Sequence, residues 1–237
     1  SRDKVLPGND SDAAELIEKV FTSGGMSLLR NARATSVKNT GDAVEVELAD
    51  GTTLTGSHCL MAVGAIPNTQ GLNLEEAGIA LNETGHVVVN KVARTSRANV
   101  YAIGDCSTSM PLASVSAMMG RTAVYHTLGD VATPTRLRNV ASNVFTSPEI
   151  AQVGWSEQEI KDGLVRGEVA TIESETNPRA KMEGISEGFI KLSASVGSGT
   201  GIGGGVFAPR AHELIYPIAV AIENRLTVDE LAKTYTG

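Results

Sequence analysis

The chain has 237 residues, a formal net charge of −7, 41% hydrophobic residues and only 4% aromatic ones. That is enough apolar material for one large core or two smaller ones, and it excludes a disordered tail, a collagen and a disulfide-stapled mini-protein. The acidic balance speaks against a general nucleic-acid binder, which needs clustered Lys/Arg, and no run of about 18 apolar residues marks a membrane span.

Residues 10–21 carry Ala13, Leu16, Ile17 and Val20 at helical spacing, with Asp10 and Asp12 at the positive end of the helix dipole and Gly24-Gly25 as a stop. A short apolar strand is expected at 26–29. Residues 32–38 and 43–48 read as strands around Asn39-Thr40-Gly41-Asp42, and Asp50-Gly51 turns the chain into a third strand at 52–54. The apolar run at 58–64 predicts a buried sheet strand. A short helix at 72–77, a strand at 87–90, a buried strand at 99–103 and a helix at 112–128 follow. From residue 140 onward the pattern is of strands at 143–146, 150–154, 169–173, 188–195 and 202–208, with helices at 212–224 and 227–234. Ser156 with Glu159, and Thr227 with Glu230, have capping-box spacing. An antiparallel sheet backed by helices is the expected layout of this last part.

Cys59 and Cys106 lie far apart, without CxxC or metal-ligand spacing, which fits free thiols in a reducing cytoplasm. His58, His86, His126 and His212 stand singly, so a zinc pair is not expected. Cys106 reads as a small buried residue, His212 as an interface or surface residue, and Glu223 as a solvated helix charge. The sequon Asn82-Glu83-Thr84 has no meaning in a cytoplasmic chain. The opening Ser1-Arg2-Asp3, without Met, reads as the start of a piece of a longer protein.

Gly199-Thr200-Gly201-Ile202-Gly203-Gly204 matches GxGxxG in form only. That motif needs a strand before it and a helix after it; here strands lie on both sides, so a hairpin tip is expected. The stronger signal is Thr95 followed by Val100-Tyr101-Ala102-Ile103-Gly104-Asp105. A buried strand ending in Gly-Asp would set a carboxylate at the edge of a sheet, where ligands bind in α/β folds. Taken alone, the same residues also suit an Asp-containing turn with no ligand.

Together with Pro111-Leu112-Ala113-Ser114 and the small-residue helix after it, this segment resembles the second FAD-binding motif of flavoproteins with two dinucleotide-binding domains. Val63-Gly64-Ala65-Ile66-Pro67-Asn68-Thr69 resembles the segment leaving their NAD(P) domain. Residues 143–154, Asn177-Pro178-Arg179-Ala180 and Ala211-His212-Glu213-Leu214-Ile215 resemble landmarks of their interface domain. In that order, the landmarks make the chain similar to the later half of the pyridine nucleotide-disulfide oxidoreductases, of dihydrolipoamide dehydrogenase type and closest to a bacterial NAD(P)H quinone reductase branch. The family's FAD fingerprint, redox CxxxxC and NAD(P) fingerprint have no counterpart here, its acid/base His-x-x-x-x-Glu pair lies beyond the last residue, and Ala65 stands where an Arg is usual.

The resemblance implies an α/β fold in three parts. Residues 1–66 would be the later part of an NAD(P)-binding domain, 67–137 the C-terminal part of an FAD-binding domain, and 138–237 an α+β dimerisation domain. It implies FAD and NAD(P)H as cofactors, a homodimer as the assembly and a small-molecule electron acceptor, a quinone before a disulfide. The alternatives it leaves are dihydrolipoamide dehydrogenase chemistry and a non-catalytic dimerising fragment. Asp105 beside Gly104 would hold the ribityl or ribose-phosphate part of FAD. Backbone N–H groups at Leu112 and Ala113 would face the flavin, and Gly64 and Asn68 would lie near the nicotinamide dinucleotide. No catalytic residue is assigned.

Overall fold

A computed structural model describes residues 2–107 and 110–235. They form two compact units, one of Gly64–Ser142 and one built from the segments on either side of it.

The larger unit is organised by an antiparallel five-stranded sheet. Its strands are β4 (Ser142–Val144), β5 (Glu149–Gly154), β6 (Gly167–Glu173), β7 (Phe189–Ser195) and β8 (Gly201–Ala208), in the order β4-β5-β8-β7-β6. Strand alternation splits its residues between two faces. Phe189 pairs with Phe207 and Ile150 with Phe207 across the ladder, so these three share a face. That face receives helix α1 (Ser11–Ser23) through Ala13 and Ile17, which are buried against them. Val206 and Gly204 point the other way, toward helix α5 (Ala211–Glu223). A Cβ at Gly204 would stand 2.8 Å from Ile218 Cγ2, so the helix closes on the sheet only because that position is glycine. Ala211, Ile215, Ile218 and Ile222 are the buried stripe of α5, one helical face lying on its own sheet. Leu214 and Ala219 are not part of it: Leu214 is exposed and Ala219 half-buried.

Both expected capping boxes are present. Ser156 caps α3 (Glu157–Lys161) and Thr227 caps α6 (Val228–Ala232), each with its Glu reaching back to the cap N–H. The glycine-rich stretch is the tip of the β7–β8 hairpin and the start of β8, with no helix after it. A separate antiparallel meander, β1 (Ala34–Asn39), β2 (Val44–Leu48) and β3 (Thr53–Gly56), lies where three strands were expected. Asp50 makes its turn by accepting the Thr52 N–H at 2.9 Å.

Four expected strands and one helix do not form. Residues 26–29 are irregular, because Gly24 and Gly25 end α1 and no ladder partner meets the segment among the described residues. Residues 58–64 form no strand among the described residues and are exposed, Leu60 at 90%. An apolar run becomes a buried strand only where flanking strands accept its backbone. Residues 87–90 and 99–103 are reduced to isolated bridges at Val87 and Tyr101, and Ile103 is exposed. Residues 72–77 make hydrogen-bonded turns in place of a helix, Ala77 N–H to Asn73 O and Ile79 N–H to Leu74 O.

In the smaller unit, helix α2 (Ala113–Leu128) buries Val115, Met119 and Ala123 against Ala93, with Tyr101 and Val140 packed around them. Gly129, left-handed at φ 79°, ends it.

Candidate cofactor site

The site expected from Gly104-Asp105 is a turn and a helix start. Gly104–Cys106 forms one turn of 3-10 helix entered from extended Ile103. Gly104 is buried at φ +74°, and a Cβ there would sit 3.0 Å from Ser116 Oγ on the first turns of α2. Both the backbone angle and the close helix therefore demand glycine. The turn is tied down by its own carbonyls. Gly104 O accepts from Ser107 N–H at 2.9 Å and Ser107 Oγ–H at 2.7 Å, and Cys106 O accepts from Val87 N–H at 2.8 Å. Asp105 is left exposed on the outside of this fixed turn. Cys106 is half-buried, with its Sγ 3.3 Å from Ile103 O, while Cys59 is exposed.

Leu112 is the residue before α2 and is extended, with no side-chain cap on the helix. The N–H groups of Ala113 and its successors, which have no acceptor within the helix, therefore point forward from its positive end. The 3-10 turn and α2 pack together. So Gly104, Asp105, Leu112 and Ala113 belong to one assembly. An exposed carboxylate that can accept hydroxyls and the N–H groups of Ala113 and its successors suit the sugar-phosphate and ring edge of a flavin dinucleotide, whereas the Leu112 N–H is already donated to Met110 O at 2.8 Å.

Gly64 and Asn68 are not drawn into that assembly. Both are exposed, and an added Cβ at Gly64 would meet nothing within 4 Å. Thr69 beside them is buried, its Oγ1 donating to Gly85 O at 2.7 Å.

Two arrangements escaped the sequence reading. His212 is an exposed residue at the start of α5, as expected, but it has a partner: Glu149 Oε2 lies 2.6 Å from its Nδ1 and 3.1 Å from its backbone N. The side-chain bond from His212 holds the Glu149 carboxyl below the usual carboxylate range. The second is Lys191. It sits on the α1 face of β7, 2% exposed, within 3.2 Å of three carboxylates. Its signal was a lysine at an inward position of an alternating apolar strand.

The family's model for pyridine nucleotide-disulphide oxidoreductases matches residues 1–120, and its dimerisation-domain model matches 140–236. The chain belongs to the pyridine nucleotide-disulphide oxidoreductases. Members of this family use FAD and NAD(P)H. The chain is 50% identical over 234 residues to an "NAD(P)H dehydrogenase (quinone)" of Mycobacterium tuberculosis, covering 99% of this chain and 48% of that protein. It is 37% identical to a mercuric reductase of Acidithiobacillus ferrooxidans, covering 98% of this chain and 42% of the relative. A dihydrolipoyl dehydrogenase of Bacillus subtilis is 30% identical, with 98% and 50% covered. The crystal structure of LpdA from Mycobacterium tuberculosis superimposes with a TM-score of 0.96 at 49% identity, covering 100% of this chain and 51% of that one. The chain thus spans about half the length of the relatives it matches, and among its described residues no helix is long and apolar enough to cross a membrane.

Proposed function

We propose that this chain is the later half of an FAD-dependent oxidoreductase that passes a hydride from NAD(P)H through flavin to a quinone. The observation that carries the reading is the fixed Gly104-Asp105 turn packed on an uncapped α2. The 50% identity to a protein named as a quinone-reducing NAD(P)H dehydrogenase, against 30% for a dihydrolipoyl dehydrogenase, favours a quinone over a disulfide as acceptor.

In this reading FAD, when bound, supplies the hydride-accepting chemistry. Asp105 binds a hydroxyl of the FAD sugar or ribityl chain. The N–H groups of Ala113 and its successors place partial positive charge toward the flavin, where negative charge develops on reduction, while Leu112, whose own N–H is donated to Met110 O, sets the start of the helix. Gly64 and Asn68 lie on the nicotinamide side. Residues 1–66, 67–137 and 138–237 serve as NAD(P), FAD and dimerisation parts, and the protein works in the cytoplasm.

The same reading makes the protein a homodimer. On the α5 side of the sheet, α5 covers β5 and β8, while Ile172, Ile190, Leu214 and Tyr216 stay exposed. Beside them lies a groove of about 440 Å³, with Arg179 and Arg210 sharing Glu183 at its rim. A second copy of this chain is the occupant we assign to that face, because the dimerisation-domain match covers all of it.

The test uses the full-length protein. Flavin absorbance together with NAD(P)H-dependent reduction of a benzoquinone, faster than reduction of lipoamide, is the expected result. A purified, folded protein that neither holds flavin nor reduces quinone with added FAD overturns the reading.

A further inference from the structure

Lys191 and its acids join elements far apart in sequence. Lys191 Nζ lies 2.6 Å from Asp12 Oδ2, 3.2 Å from Asp10 Oδ2 and 2.5 Å from Glu157 Oε2. Asp10 is the residue before α1 and Asp12 stands in its first turn, while Glu157 opens α3. The lysine stem runs beside Phe189, with Nζ 5.3 Å from the ring centre. None of the three acids is on β7 itself, so the lysine has partners only when α1 and α3 are docked.

A cation taken out of water is tolerated only if it is well paired. An apolar side chain at this position would serve the core as well, since Ala13, Ile17, Phe189 and Phe207 already bury the middle of α1 against the sheet. What the charge adds is direction. Apolar contacts let a helix slide or rotate by a residue; a buried ammonium accepts only the placement that brings Asp10 and Asp12 to it together. Lys161, 2.6 Å from Glu157 Oε1, offsets part of the excess negative charge.

We propose that Lys191, Asp10, Asp12 and Glu157 form a clamp that fixes the N-terminal end of α1 on the five-stranded sheet. The clamp makes α1 part of the dimerisation body, although α1 lies in the region that the first family model matches.

Hydrogen exchange of the full-length protein tests this. In Lys191→Met the amides of α1 are expected to exchange at least tenfold faster, while β5, β7, β8 and the β1–β3 meander keep their protection. Asp12→Asn, at a side chain 45% exposed, removes one of the three negative charges on Lys191 without opening the core and should give a smaller acceleration confined to the same helix. Unchanged α1 exchange in Lys191→Met overturns the clamp. So does loss of protection across β5, β7 and β8 in step with α1 in both variants, because Lys191 would then support the sheet rather than the docked helix. Should Lys191→Met give no folded protein, Asp12→Asn decides alone: faster exchange in α1 only supports the clamp, and no change overturns it.

Discussion

Asp105 is exposed, yet the turn that carries it is fixed from behind by Gly104, Ser107 and Ser116. A side chain with no load in the fold and a rigid base is suited to ligand binding. Asp105→Ala in the full-length protein should therefore leave thermal stability nearly unchanged and weaken FAD binding about tenfold or more, the size expected for a hydrogen bond to a charged group. Flavin titration followed by fluorescence checks this; equal affinity with the same melting temperature would remove Asp105 from the site. Gly104 behaves in the opposite way. Gly104→Ala meets both a positive φ and Ser116, so it should lower stability by about 1–3 kcal/mol, read as a drop in melting temperature. At the thiols, Cys59 is exposed and Cys106 is held beside Ile103 O, without a redox-spaced partner. Replacing both by Ser should leave quinone turnover within about twofold, whereas a loss above tenfold with flavin still bound would make a thiol part of the electron path.

At the scale of elements, the larger unit is held by charge as well as by apolar contact. Burial alone would lower the Lys191 pKa, but the bonds to Asp12 and Glu157 and the charge of Asp10 outweigh it and lift the group above the ordinary lysine value. Glu157 is held below the usual carboxylate range by its bond to Lys161 and then by that to Lys191. A carboxyl depressed in the folded state stabilises above its unfolded pKa, and that contribution fades as pH falls through the folded value. A lysine raised in the folded state stabilises below its unfolded pKa, and that contribution fades as pH rises through the folded value. Between roughly pH 5 and pH 10 the cluster is therefore at full strength. Melting temperature should be level across that window and decline on the acid side as Glu157 and Glu149 take up protons. In Lys191→Met the acid decline should shrink, since Glu157 loses one of the two cations that depress it. A full-length variant whose acid limb matches the unmodified protein would show that the cluster does not contribute to it.

At the scale of the whole molecule, the exposed apolar residues fall into sets with different consequences. Ile172, Ile190, Leu214 and Tyr216 lie on the larger unit, within the segment that matches a dimerisation domain. Tyr216, 69% exposed and outside the buried stripe of α5, can be changed without opening the core. Tyr216→Asp combined with Ile172→Asp should convert a dimer of the full-length protein to monomer or to aggregate, because an apolar obligate interface leaves sticky surface when it opens. Light scattering reads the outcome, and a dimer unchanged in mass at micromolar concentration would assign the contact to another face. Leu60, Met61, Val63 and Ile66 form the second set, a run without ladder partners among the described residues.

The last hundred residues were legible in the sequence almost element by element, because the strands there find their ladder partners within the same stretch of chain. Capping boxes and glycine stops were legible for a related reason: they act over three or four residues. The Gly104-Asp105 turn was legible as a pattern, though the expected buried strand before it does not form, since Tyr101 meets only a single bridge. The runs at 58–64 and 99–103 have the composition of sheet centres, and composition does not say whether neighbouring strands exist. Only the tertiary structure showed that α1 docks on the sheet of residues 142–208, that Glu149 meets His212, and that Lys191 faces acids about 180 residues away in the chain. Periodicity gives a lysine a face; which charges stand opposite that face is fixed by how distant segments pack.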